Sequence, residues 1–89
     1  MLASNKIWYV YALYSKDYDR VYVGMSQDPN NRLKEHNNGS TKSTKPYRPW
    51  VKVYQESVGE IGQARKREVQ LKSGSGKEYI RSLILRLYS

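Results

Sequence analysis

The sequence predicts an α+β fold, a three-stranded antiparallel sheet flanked by helices in the order β-β-α-β-α-α. Three short segments rich in aromatic and β-branched residues are typical of strands, at residues 7–14, 21–25 and 50–56. Apolar residues at helical spacing follow in the last third of the chain. The chain has 89 residues and no linker long enough to separate two units, so we expect a single domain over residues 1–89.

The first two strands are expected to form a hairpin. Residues 7–14 (IWYVYALY) are too few for a helix and apolar along their length, which favours a strand covered on both faces. Polar residues 15–19 form the turn, and residues 21–25 (VYVGM) form the returning strand. Because side chains alternate along a strand, Tyr9 and Tyr11 share one face, and Tyr22 should lie opposite them on the partner.

Boundary signals define the first helix. Asp28 is a suitable N-cap, Pro29 suits the first helical position, and Gly39 can end the helix. A loop rich in Ser, Thr, Lys and Pro then covers residues 39–49, before the alternating third strand at residues 50–56.

Two more helices are expected after the third strand. One should run from Glu60 to Lys72 and stop at Ser73-Gly74-Ser75-Gly76. The other covers about residues 77–87. Its apolar residues recur at helical spacing and are Ile80, Leu83, Ile84 and Leu87.

The charge balance indicates a polyanionic partner. Sixteen Lys and Arg residues against eight Asp and Glu residues give a net charge of +8. Such a surface favours nucleic acid through phosphate neutralisation and counterion release. A basic surface that serves only solubility is the alternative, and no long basic amphipathic helix indicates a membrane surface.

Several classes of site and location are excluded or disfavoured. The chain has no cysteine, which excludes disulfides, thiolate zinc sites and cysteine nucleophiles. It contains no apolar run of about 18 residues, and its first residues do not have the profile of a signal peptide. We therefore expect a cytoplasmic protein that does not enter the membrane.

Glu68 falls on the predicted inward face of the second helix. Ile61, Ala64 and Leu71 define that face, and at about 100° per residue Glu68 projects between the first two. A buried carboxylate is unfavourable unless a cation satisfies it. That cation could be a divalent metal such as Mg²⁺, with water and phosphate oxygens completing its shell. It could equally be a neighbouring basic side chain, from Arg65, Lys66, Arg67 or Lys72.

Arg32 and His36 have i, i+4 spacing and share one face of the first helix. A guanidinium and an imidazole side by side could donate hydrogen bonds to the oxygens of a phosphoryl group. The spacing is equally compatible with a solvated helix face.

Tyr11 and Tyr22 are candidates for proton transfer. A phenol close to cations loses its proton more readily and can act as a general base or orient a water molecule. The alternative is an aromatic core whose hydroxyls are satisfied by hydrogen bonds.

A basic segment surrounds the start of the third strand. Its cationic residues are interleaved with Tyr47 and Trp50, a pattern that suits phosphate contacts together with base stacking. A solvated loop is the alternative. The candidate nucleic-acid-binding residues are Lys42, Lys45, Arg48 and Lys52.

In their order and spacing these residues resemble the GIY-YIG nuclease family. Residues 9–11 (YVY) match the GIY element and residues 22–24 (YVG) match the YIG element. Arg32, His36 and Glu68 follow where the family carries its polar site residues. The resemblance covers residues 7–73, and residues 35–39 and 65–68 are similar to small stand-alone bacterial members. These members are called URI-type, after the nuclease domain of the repair protein UvrC and of intron-encoded endonucleases.

The resemblance implies hydrolysis of DNA phosphodiester bonds, in DNA repair or DNA processing, with one Mg²⁺ or Mn²⁺ ion. By analogy Glu68 would hold the metal, Arg32 would stabilise the transition state and His36 would assist at the phosphate. Tyr11 or Tyr22 would activate water, and we favour Tyr11.

Two departures from the family pattern define the alternative function. Tyr9 replaces the opening glycine of the GIY element, at a strand position. Many members also carry a late Asn near the active site, whereas no Asn follows Asn38 here. A nucleic-acid-binding module with little or no catalysis is therefore the second hypothesis. Target specificity would come from this domain's own surface or from a partner protein.

Overall fold

The computed structural model describes residues 7–89, and its elements follow the predicted order. A short 3₁₀ helix, Lys45–Tyr47, lies within the predicted loop. The predicted fold class is confirmed. The strands are β1 (Trp8–Ser15), β2 (Arg20–Ser26) and β3 (Val51–Gly59), and the helices are α1 (Pro29–Asn38), α2 (Ile61–Lys72) and α3 (Gly74–Tyr88).

The sheet is antiparallel, and β1 is its central strand, in the order β2-β1-β3. The strand β1 is apolar along its length because both of its faces are covered. Tyr11 pairs with Gly24, whereas Tyr22 pairs with Leu13. Tyr22 therefore shares a face with Tyr11 but lies diagonal to it. The third strand continues beyond its predicted end to Gly59, because its last residues pair with the start of β1.

Each face of the sheet carries its own hydrophobic cluster. On one face α2 and α3 pack against a larger cluster, made of Val10, Ala12, Tyr14, Val23, Ala64, Leu71, Ile80 and Ile84. On the other face a smaller cluster packs against Leu33 of α1 and against the residues that precede β3. Its buried members are Tyr11, Leu13 and Trp50.

The first helix has the predicted boundaries. The carboxylate of Asp28 accepts a hydrogen bond from the backbone N–H of Asn31 at 3.2 Å, which satisfies a free donor of the first turn. Gly39 adopts a left-handed conformation, with φ of 84°, and its N–H donates to the carbonyl of His36. These caps fix the length of α1 and the position of the His36 side chain one turn before its end.

The connection between α2 and α3 differs from the prediction. The break between helices predicted at residues 73–76 is too long, because α3 begins at Gly74 and Ser73 alone separates the two helices. The Ser73 side chain accepts a hydrogen bond from the N–H of Gly76, which caps α3. Gly76 is buried against the end of α2, where a Cβ atom would lie 2.3 Å from the carbonyl oxygen of Gln70. The glycines of this segment therefore allow a close helix corner and do not form a loop.

Two residues predicted to face the core are exposed. Ile61 is 47% exposed and Leu87 is 61% exposed. Ile61 stands at the first position of α2 and Leu87 in the last turn of α3, and neither belongs to the larger cluster. Within residues 7–89, none of the helices combines the length and the apolar character needed to cross a membrane.

Candidate active site

Tyr11 occupies the centre of the candidate site. Its side chain is buried on β1, and its hydroxyl lies 3.2 Å from Nε2 of His36. The ring of Tyr22 is 6.4 Å away between centroids. Gly24, across the β1–β2 pair, allows this arrangement because a Cβ atom there would lie 2.7 Å from the Tyr11 hydroxyl. A glycine in the strand thus makes room for the phenol.

His36 is enclosed. Its exposed fraction is 0%, its Nδ1 lies 2.8 Å from Oγ1 of Thr44, and the Tyr22 ring packs against it at 4.8 Å between centroids. The alternative of a solvated helix face is therefore wrong for this residue. Burial, and next the charge of Arg32, lower the pKa of His36, while Glu35 opposes the shift. The imidazole is neutral at physiological pH.

Arg32 lies one turn before His36 on α1 and remains partly exposed. Its guanidinium donates to Oε1 of Glu35 at 2.7 Å and lies beside Tyr11. Burial, and next Tyr22, raise the pKa of Tyr11 to about 12, although the charge of Arg32 and a hydrogen bond from it act in the opposite direction. Tyr11 therefore keeps its proton at neutral pH unless a neighbouring group accepts it.

Glu68 lies on α2, which packs against β1 and β2. Its charge raises the pKa of Tyr11 and is the smallest of the several influences on that pKa. The side chain is 17% exposed and lies 3.4 Å from Nζ of Lys72, whose own side chain is 52% exposed. The predicted ion pair is thus present with Lys72, whereas Arg67 bonds to Glu56. An exposed lysine at this distance stabilises weakly and can move aside for a metal ion.

The donor set at Glu68 suits a magnesium-like ion. Within residues 7–89 no group of three or more His, Cys, Asp and Glu side chains could form a protein cage for a metal. A single carboxylate is a fitting anchor for Mg²⁺ or Mn²⁺, because such ions keep several waters and take phosphate oxygens as ligands. The residues present are therefore compatible with one ion held at Glu68.

The candidate nucleic-acid-binding residues do not all lie together. Lys45 and Arg48 line one open cleft of about 600 Å³, together with Asn37, Pro46 and Pro49. The Arg48 side chain is anchored there because its Nε donates to the carbonyl of Lys45. Both residues are exposed, as is Lys42 in the preceding loop. This arrangement leaves three cations of one loop available to phosphates.

Lys52 and the two aromatic residues have other partners. The ammonium of Lys52 donates to Asn30 at 2.7 Å and also to Gln55. Trp50 is buried in the smaller cluster, which corrects its expected role in base stacking. Tyr47 is partly buried and its ring is covered by the guanidinium of Arg20 at 4.0 Å.

Two residues that support the site were missed by the sequence analysis. The buried Thr44 binds Nδ1 of His36, and the amide of Asn37 pairs with both backbone groups of Trp50 at 2.7 and 3.0 Å. Asn37 therefore fastens α1 to the start of β3. Thr44 lies eight residues from its partner in an irregular segment, where no periodic pattern marks a buried residue.

Known proteins are similar to this chain over most of its length. The GIY-YIG catalytic domain family matches residues 7–80. A UPF0213 protein of Staphylococcus saprophyticus is 36% identical over 74 residues, which cover 82% of this chain and 89% of the relative. One of Staphylococcus haemolyticus is 34% identical over 76 residues, covering 84% and 92% respectively. No solved structure is significantly similar to the chain. The chain belongs to the GIY-YIG nuclease family.

Proposed function

We propose that this chain is a metal-dependent endonuclease that hydrolyses DNA phosphodiester bonds with one Mg²⁺ or Mn²⁺ ion. The observation that carries the proposal is the surroundings of the Tyr11 hydroxyl. It is hydrogen-bonded to His36, and the charges of Arg32 and Glu68 both influence its pKa. A phenol, a proton acceptor, a fixed cation and a carboxylate can together supply the proton transfer and the charge stabilisation that phosphodiester hydrolysis needs.

The proton path runs from water through Tyr11 to His36. Because the pKa of Tyr11 is raised to about 12, the phenol can take a proton from water only if it gives up its own. Nε2 of His36, 3.2 Å away, is placed to accept that proton. This assigns His36 a role behind Tyr11 instead of a direct contact with the phosphate, since both of its ring nitrogens already bond to hydroxyl groups.

Arg32 and Glu68 supply the charge of the site. The Arg32 guanidinium is held at one end by Glu35 and is exposed enough for its other donors to reach a phosphate oxygen. Those donors would stabilise the negative charge that develops at the phosphorus. Glu68 would hold the metal ion, which when bound supplies electrostatic stabilisation of the phosphate oxygens.

The substrate is proposed to be DNA, bound in part by residues 42–48, which we call the basic loop. Lys42, Lys45 and Arg48 offer three exposed cations, and the net charge of +8 favours a phosphate backbone over the whole surface. Contacts of this kind position a substrate but carry no base specificity. A preference among DNA targets would come from other parts of the surface or from a partner protein.

The test is cleavage of labelled single-stranded, duplex and branched DNA in the presence of Mg²⁺ or Mn²⁺. We expect Glu68→Gln to lower the cleavage rate by on the order of 100-fold or more, because it removes the carboxylate that holds the metal. Manganese binding should weaken in parallel. Glu78→Gln is the matched control, since Glu78 is exposed on α3 and should leave both properties unchanged.

The same experiment decides between the two functions. If the unmodified chain cleaves none of these substrates faster than Glu68→Gln, the endonuclease proposal fails. Salt-dependent binding of DNA without cleavage would then identify a nucleic-acid-binding module on the same fold.

A further inference from the structure

The hydrogen bonds around His36 favour one of its two ring nitrogens as the one that carries the hydrogen. His36 is the one histidine of the chain, and its buried ring lies between two hydroxyl groups. Tyr11 is 3.2 Å from Nε2, and Thr44 is 2.8 Å from Nδ1. A neutral imidazole has one N–H donor and one acceptor nitrogen, so one hydroxyl must accept from the ring while the other donates to it.

Thr44 is placed to be the hydroxyl that accepts. Its Oγ1 lies 3.3 Å from the carbonyl oxygen of Thr41, an obligate acceptor to which the hydroxyl can donate. The lone pairs of Oγ1 are then left for an N–H of the ring. In the opposite tautomer Nδ1 carries no hydrogen, so the Thr44 hydroxyl would have to donate to it and would lose its hydrogen bond to Thr41. Nε2 would carry the hydrogen, and the Tyr11 hydroxyl would then have no acceptor. Arg32, beside that phenol, can only donate.

The Thr44 hydroxyl is fixed by its own surroundings. The residue is buried, and its backbone N–H donates to the carbonyl of Thr41 at 3.2 Å. Its carbonyl accepts from the indole N–H of Trp50 at 2.9 Å and from the N–H of Tyr47 at 3.1 Å. Thr44 is thus held at the start of the 3₁₀ helix by a buried tryptophan of the smaller cluster. A hydroxyl anchored in this way can orient the imidazole with little freedom.

We propose that Thr44 is a positioning residue that holds His36 in the Nδ1–H tautomer and so keeps Nε2 free to accept the Tyr11 proton. The proposed tautomer rests on the contacts of the ring with Tyr11 and Thr44. Its consequence for catalysis rests on the proposed function. Second partners of this kind, which fix the orientation and tautomer of a functional histidine, typically contribute about 10- to 100-fold when removed.

The experiment is nitrogen NMR of the chain labelled with ¹⁵N-histidine, at about pH 7.5 where the buried ring is neutral. The two tautomers are distinguishable because a protonated and an unprotonated ring nitrogen resonate far apart. A single histidine means that no residue assignment is needed, and the couplings of each nitrogen to the two ring carbon-bound hydrogens tell Nδ1 from Nε2. We expect the unmodified chain to show the Nδ1–H form. Thr44→Val should shift population toward the Nε2–H form, and Thr44→Ser should restore the original spectrum.

Thr41→Val is the matched control, because Thr41 contributes its backbone carbonyl to the chain of hydrogen bonds and that carbonyl is kept. An Nε2–H spectrum in the unmodified chain would overturn the proposal, and so would an unchanged Nδ1–H spectrum in Thr44→Val. If Thr44→Val does not fold, the spectra of the unmodified chain and of Thr44→Ser still decide, since both must show the Nδ1–H form.

Cleavage assays separate this inference from the proposed function. We expect Thr44→Val to lower kcat by about 10- to 100-fold with little change in KM, and Thr44→Ser to retain most of the rate. Full activity of Thr44→Val would overturn the catalytic part of the inference. If the unmodified chain does not cleave DNA, the proposed function fails, whereas an Nδ1–H spectrum that depends on Thr44 would still establish the tautomer.

Discussion

His36 is closed off from solvent at the end of α1, although a helix position two residues before Asn38 would ordinarily be solvated. Hydroxyl groups from β1 and from the loop before β3 replace the water that the ring has lost. Burial without a carboxylate partner favours the neutral imidazole. A single residue thus couples the protonation of the site to the stability of the fold.

The lowered pKa of His36 predicts that the chain loses stability in mild acid. The unfolded chain binds a proton at this residue near pH 6.5, whereas the folded chain does so only at lower pH. The contribution of the neutral His36 to the free energy of unfolding is therefore fully present above about pH 6.5. It is lost as the pH falls through the pKa that His36 has in the folded chain. Urea unfolding between about pH 7.5 and pH 5 should show the decrease.

Asp19 and Glu56, whose pKa values are shifted, do not contribute to this change. The pKa values of Asp19 and Glu56 are lowered in the folded chain, Asp19 by hydrogen bonding to Arg81 and Glu56 by hydrogen bonds from Tyr54 and Arg67 against the effect of burial. Both groups stay ionised above about pH 5 whether the chain is folded or unfolded. His36→Gln should accordingly flatten the profile in this interval. A profile that is already flat in the unmodified chain would contradict the prediction.

At the scale of elements, the corner between α2 and α3 determines how both helices cover the larger cluster. Ser73 alone separates them, and the backbone of Gly76 lies directly against Gln70 and Leu71. Leu71, Ile80 and Ile84 are thereby brought into one cluster from two helices. Since α2 also carries Glu68, the corner contributes to the placement of the candidate metal ligand.

Gly76→Ala is predicted to destabilise the chain by about 1–3 kcal/mol or more, because overpacking against backbone atoms cannot be relieved by a side-chain rotation. Gly74→Ala is the matched control in the same helical turn. A Cβ atom there meets nothing within 4 Å. We expect this variant to be unchanged or more stable by up to about 1 kcal/mol. Equal urea midpoints for the two variants would contradict the close packing of the corner.

At the scale of the whole molecule, the sheet separates the two hydrophobic clusters, and the candidate site draws its residues from both sides of it. Tyr11, Tyr22 and His36 belong to the side covered by α1, whereas Glu68 comes from a helix on the opposite face. The site therefore depends on the docking of every layer. The exposed cations of the basic loop lie in the segment that also contains Thr44. One part of the chain therefore carries both the proposed contacts with the substrate and a residue that holds His36.

DNA binding is predicted to weaken steeply as the salt concentration rises, and the phosphate contacts of the basic loop should account for part of that dependence. Replacing Lys45 or Arg48 by alanine should each reduce the slope of log K against log salt concentration by about one. Lys77→Ala is the control, because Lys77 is exposed on α3, outside this cleft. Titrations of labelled duplex at several salt concentrations measure the slope. Equal slopes for all three variants would exclude the loop as a phosphate contact.

The sequence by itself determined the fold class and the order of elements, because period-two and helical patterns record which faces are buried. It also determined the ends of α1, since Asp28, Pro29 and Gly39 act within a few residues of themselves. Its expectation that Ile61 and Leu87 face the core was wrong, because periodicity assigns a face but does not tell where the partner layer ends.

The tertiary structure alone decided which alternative each polar residue realises. Spacing left His36 either solvated or functional, and only the docking of α1 against β1 and Thr44 encloses it. Spacing left Glu68 beside four basic residues. The pairing of Arg67 with Glu56 of β3 removes one of them, and Lys72, one turn along α2, is the residue that pairs with Glu68. The physical reason is that contacts such as Arg67 with Glu56 and Tyr11 with His36 join residues distant in the chain, so the packing of elements fixes them and local patterns do not.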